Sequence, residues 1–109
     1  MLSPLSRSSF SSFQTRWVSY AFTVQKRYFD LILEGKKTVE GRLNQKKYQK
    51  IKIGDLVSFK SSEPTDHSTF CIVREKNIYR TFKDMLEAEG LENCLPEASS
   101  IDEAISIYH

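Results

Sequence analysis

Apolar and small polar residues alternate along residues 19–24, with Tyr20, Phe22 and Val24 on one side, which predicts a strand. The next stretch changes period. Tyr28, Leu31 and Ile32 recur at helical spacing between Lys26 and Glu34, and Gly35 supplies a stop, so a short amphipathic helix is expected. Residues 38–43 read as extended. Gly54 and Asp55 form a turn into a strand over 56–59, and 61–66 is a polar loop. Residues 69–73 are β-rich, with the strand able to run on to Tyr79. Thr81 can cap a helix over 82–89 in which Phe82, Met85 and Leu86 share a face, and Gly90 ends it. Ser100 and Glu103 make a capping box that opens a last helix over 101–108. This succession of short strands and helices predicts a small α+β domain without repeats.

At 109 residues, 39% hydrophobic and 28% charged, the chain is long enough for one domain and no more. It contains no apolar run of membrane-spanning length, and no membrane partner is expected. The net charge of +2 conceals an uneven distribution. Residues 36–60 carry eight basic side chains against Glu40 and Asp55, whereas residues 84–109 carry seven acids and no Lys or Arg. Such a dipolar molecule steers an anionic partner to one face. Residues 1–19 stand apart: seven serines, Arg7 and Arg16, and no acid. That composition is the signature of an organelle transit peptide, so 1–19 is expected to be a poorly packed leader addressing the protein to a mitochondrion or another organelle. Without such an address the protein would be cytoplasmic. The folded domain is expected over 20–109.

Familiar catalytic motifs are absent. Gly35-Lys36-Lys37-Thr38 lacks the earlier glycine of a phosphate-binding loop, since Asp30 stands in its place. Cys71 and Cys94 read as small buried apolar residues, and His67 and His109 do not combine with them at metal-ligand spacing. No metal or cofactor is expected. What remains is 35–43. On an extended segment Thr38, Glu40 and Arg42 share a face, Lys37 can swing toward it, and Gly41 leaves room for a ligand or a neighbouring backbone. Lys37 and Arg42 suit phosphate, and Glu40 suits exocyclic amines. The alternative is a solvated surface strand.

The run from Tyr28 through Gly35, Lys37, Glu40 and Arg42 to Leu43, followed by 53–59, 79–91, Leu95-Pro96 and 105–108, resembles the ASCH domain family of the PUA-like superfamily. Its hallmark, G-x-K-x-x-E-x-R, is matched by Gly35, Lys37, Glu40 and Arg42, and the likeness covers nearly everything from Tyr20 onward. The resemblance implies a small β-barrel with flanking short helices, a cleft lined by the motif, and a role in RNA-related processes. Family members also continue beyond the last helix into a closing strand, so the barrel is expected to lack its last strand and to self-associate through the open edge. Similar bacterial amidohydrolases deacetylate acetylcytidine with a lysine and a threonine of the motif and a later glutamate. Lys37 matches the lysine, Glu40 replaces the threonine nucleophile, Thr38 lies two positions early, and Glu89 stands for the later carboxylate.

The expected function is binding of RNA or a modified nucleoside through Lys37, Thr38, Glu40 and Arg42, with Lys46, Lys47, Tyr48, Lys50 and Lys52 along the RNA backbone. An amide hydrolase in which Lys37 and Glu40 are catalytic is the second expectation, and a protein–protein adaptor using the acidic C-terminal helices the third. A solvent-facing cleft further implies that Glu40→Gln and Lys37→Ala change stability by no more than about 1 kcal/mol.

Overall fold

Strand β2 (Val18–Val24) buries Phe22 and Val24, its alternate side chains, as the sequence pattern requires. A computed structural model describes residues 2–7, 18–64 and 67–108. After β2, Gln25 stays extended while its carbonyl accepts from the N–H groups of Tyr28 and Phe29, opening α1 (Lys26–Leu33). Strand β3 (Leu56–Ser61) lies parallel to β2, and Phe22 pairs in register with Phe59, their rings stacked at 5.0 Å. β4 (Ser68–Lys76) runs antiparallel to β3 and buries Thr69, Cys71 and Val73.

The sheet has four strands, because Leu2–Arg7 forms β1 and pairs antiparallel with β4, Leu5 opposite Val73. The order β1-β4-β3-β2 leaves an open mixed sheet rather than a closed barrel. The open sheet agrees with the expectation of an unclosed barrel, while the reading of 1–19 as poorly packed changes at residues 2–7. A segment does pair along the outer side of β4, and it comes from the stretch read as a leader. Residues 8–17, the rest of that leader apart from Met1, Val18 and Ser19, lie outside the described residues.

The helices fall close to expectation, with additions. Helix α2 (Lys46–Gln49) was not anticipated; the Lys76 ammonium of β4 ties it down by donating to the carbonyls of Tyr48, Gln49 and Ile51. Thr81 caps α3 (Phe82–Glu89), its hydroxyl accepting from Asp84 N–H at 3.0 Å. After Gly90 comes a single turn, α4 (Leu91–Cys94), also unanticipated. Ser100 caps α5 (Ile101–Tyr108) by accepting from Glu103 N–H at 3.1 Å. Glu103 reaches back to Ser99.

Residues 37–45 form no strand, contrary to the extended reading of 38–43. They make a strap whose course is set from a distance: Thr38 and Val39 both donate their N–H to the Asn93 carbonyl of α4. The strap runs between two apolar clusters. One joins the sheet to α1, Tyr48 and Ile51; the other gathers Val39 with α3, α4 and α5. Tyr28 packs against both. A cleft opens along this seam.

Candidate functional site

Gly35 begins the site. Its φ of +79° reverses the chain after α1, and the Leu31 carbonyl then accepts from both Lys36 and Lys37 N–H. That turn drives the Lys37 side chain inward, where the residue is only 5% exposed. Its ammonium donates to Val39 O at 2.7 Å and to Cys94 O, and it lies 3.5 Å from Glu40 Oε1. Three donors meet three acceptors, which is the condition for keeping a lysine charge out of water.

Glu40, 6% exposed, joins two cations. Its Oε2 accepts from Arg42 Nη2 at 2.9 Å and Nε at 3.2 Å. Arg42 also donates to the Thr23 carbonyl of β2 at 3.5 Å and lies over the Phe22 ring at 5.1 Å. Burial works against the guanidinium charge, but the field and hydrogen bonds of Glu40 outweigh it and hold the group above its ordinary range. Both Glu40 oxygens are thus engaged. In this arrangement Glu40 orients Lys37 and Arg42 while still lining the cleft.

Above this floor lies a cleft of about 500 Å³. Tyr28, Tyr48, Phe82 and Tyr108 contribute its aromatic walls, and Lys37, Glu40 and Arg42 line it together. Thr38 is not among the lining residues, and Glu89 is held elsewhere by Tyr79 and Asn77. Gly41 lines the cleft and also makes room for protein: a Cβ there would come within 2.7 Å of the Met85 side-chain end and 3.4 Å of Tyr108 Cε1. Cys94, beneath the cleft, is pushed up to about 11 by burial against the pull of Lys37, so its thiol is no nucleophile near neutral pH.

The basic run touches the cleft through Lys47. Lys46, Lys47, Lys50 and Lys52 are all exposed. Lys47 lies 5.2 Å over the Tyr48 ring and Lys50 5.9 Å over the Tyr20 ring. Tyr48 itself is only 7% exposed and packs between Tyr20 and Phe22, so it does not stand among the lysines as an open stacking platform. Tyr28, Phe82 and Tyr108 were not singled out from sequence as site residues. Their helical spacing marks a core face, and only the tertiary seam turns that face into a wall.

An open mixed sheet with short helices, and a lysine–glutamate–arginine strap across a cleft, define a small α+β domain of the PUA-like kind. The family model for the ASCH domain matches residues 22–108, and the chain belongs to that family. It is similar to a crystal structure described as a hypothetical protein, with 38% identity, a TM-score of 0.71, and coverage of 82% of this chain and 78% of the other. It is also similar to a solution NMR structure of a Pyrococcus furiosus protein, with 38% identity, a TM-score of 0.63, and coverage of 82% and 76%. No curated protein matches the sequence. No helix among the described residues is long and apolar enough to cross a membrane.

Proposed function

We propose that the protein binds RNA, taking one nucleoside, modified or unmodified, into the cleft while the neighbouring lysines follow the phosphate backbone. The observation that carries this reading is an aromatic-walled cleft of about 500 Å³ lined by Lys47, which belongs to the exposed run Lys46, Lys47, Lys50 and Lys52. The volume falls in the range of small-ligand sites. Stacking a base on aromatic rings is worth about 1–3 kcal/mol. Membership of the ASCH family agrees with an RNA-related role.

The test is fluorescence anisotropy with short single-stranded RNA across a salt series. Three phosphate contacts give a log–log slope of about −2. Lys50→Glu should weaken every sequence alike, because phosphate contacts carry no base information. Tyr28→Ala should weaken binding even at high salt. Affinity that ignores both salt and Lys50→Glu would remove the backbone contacts from the proposal.

One observation favours a second reading, hydrolysis of an acylated nucleoside: Lys37 and Glu40 stand 3.5 Å apart within the cleft. Glu40 would activate water and Lys37 would stabilise the oxyanion. Acetate release from acetylcytidine, insensitive to salt and abolished by Glu40→Gln at a temperature where that variant is still folded, would establish it.

A further inference from the structure

The charged groups of the cleft spend their hydrogen bonds on the protein. Lys37, Glu40 and Arg42 are engaged with one another and with the carbonyls of Val39, Cys94 and Thr23. Two other lining residues differ. Gln25 and Gln45 are both exposed, and neither amide has a hydrogen-bond partner among the described residues. A ligand entering the cleft can meet them without breaking a bond of the fold.

Each glutamine occupies the residue before a helix, Gln25 ahead of α1 and Gln45 ahead of α2. Ser, Thr, Asp or Asn at such a position turns back and caps the first turn. Thr81 and Ser100, which do not line the cleft, cap their helices in this way. The glutamines make no cap bond, so their amides stay available. Their backbones are fixed all the same. The Gln25 carbonyl accepts from Tyr28 and Phe29 N–H at 2.9 Å, and the Gln45 carbonyl accepts from Tyr48 N–H at 3.0 Å. Gln25 follows Thr23 by two positions and Gln45 follows Arg42 by three, and the 3.5 Å bond from Arg42 to Thr23 brings the two segments together. Two free amides are thus carried on anchored backbone along one seam.

An amide holds a donor and an acceptor side by side, which is also the pattern on the pairing edge of a nucleobase. Lys37, Arg42 and Lys47 only donate, so none of them can accept from a base N–H. We infer that Gln25 and Gln45 read the hydrogen-bonding edge of the base, so that the cleft takes a base whose ring N–H and adjoining carbonyl are free over one methylated at that nitrogen. The inference deepens the nucleoside reading and rests on it.

Short oligouridine and the same RNA built from 3-methyluridine isolate the preference. The methyl group removes the one ring N–H of uracil and leaves every phosphate in place. In fluorescence anisotropy with the full chain, wild type should bind oligouridine about tenfold more tightly, within what one paired amide–base contact gives. Gln25→Met with Gln45→Met keeps the side-chain length and removes both amides, so this double variant should bind the two RNAs alike. It should melt within about 3 °C of wild type, because the amides hold nothing in the fold. A difference that persists in the double variant would assign the preference to a clash of the methyl group with a wall, and a larger fall in melting temperature would make the glutamines structural; either result overturns the inference. Equal binding of both RNAs by wild type would overturn it while leaving RNA binding intact. Binding of neither RNA would remove the nucleoside reading and the inference with it.

Discussion

Removing the Glu40 charge should cost far more than a surface substitution does. Glu40→Gln keeps the shape but places an amide between two groups that only donate. One end of the amide then faces Lys37 or Arg42 with a donor of its own. At 3.5 Å from Lys37 and 2.9 Å from Arg42, each attraction is about 5 kcal/mol at an effective dielectric of about 20. The gain from no longer burying a carboxylate offsets much of this, and breaking a buried pair costs about 3–5 kcal/mol net. The Arg42 side chain is 29% exposed, so water relieves part of the loss. We therefore expect about 3 kcal/mol, the lower end of that range. In a domain of this size it should lower the melting temperature by roughly 10–25 °C. The earlier expectation of about 1 kcal/mol belonged to a surface site, and the burial of Lys37 and Glu40 overturns that premise. Urea and thermal unfolding of wild type, Glu40→Gln and Arg42→Lys provide the assay. Arg42→Lys keeps the charge and loses the fork, so it should cost about 1 kcal/mol. A Glu40→Gln protein that melts within about 2 °C of wild type would refute the reasoning, since the strap would then be held by its backbone bonds alone.

Gly41→Ala should destabilise by about 1–3 kcal/mol, because the new Cβ must displace the fully buried Met85; Met85→Ala in the same chain should recover part of that loss in urea unfolding. Cys94 should resist iodoacetamide at neutral pH in the native state and react on unfolding. Its thiol pKa is raised by folding from 9.0 to about 11, so the linked stability is full below pH 9 and is lost as pH rises toward about 11. Urea midpoints should accordingly fall through that window, less so in Cys94→Ala, and an equal fall in both proteins would count against the assignment. Deleting residues 1–7 removes the partner of β4, and sedimentation velocity should show increased self-association through the bared edge.

Sequence pattern located the elements whose signals are local. Thr81 and Ser100 mark the starts of α3 and α5 because a cap is a bond between residues three apart. Elements held from a distance were not legible. Only Tyr48 of the four residues in α2 is buried, and the helix depends on Lys76, more than 20 positions away. The strap looked like a strand because 38–43 has strand-like alternation, yet its backbone bonds go to Asn93. The site was legible in part. Lys37, Glu40 and Arg42 do converge, but their depth was hidden, since the carbonyl that accepts from Lys37 belongs to Cys94, 57 positions later. Tyr108 carried no signal of its own, because a tyrosine on the apolar face of a last helix reads as core.

The pairing of β1 with β4 has a consequence in time. Leu5 and Val73 are 68 positions apart, so the first strand made must wait for the last. At about 5–20 residues per second, translation leaves the N-terminal segment without its sheet partner for roughly 3–14 s. During that interval the backbone N–H and C=O groups that will pair with β4 are met by water or by another chain, and the outer side of β4 is covered only after the whole sheet has been made.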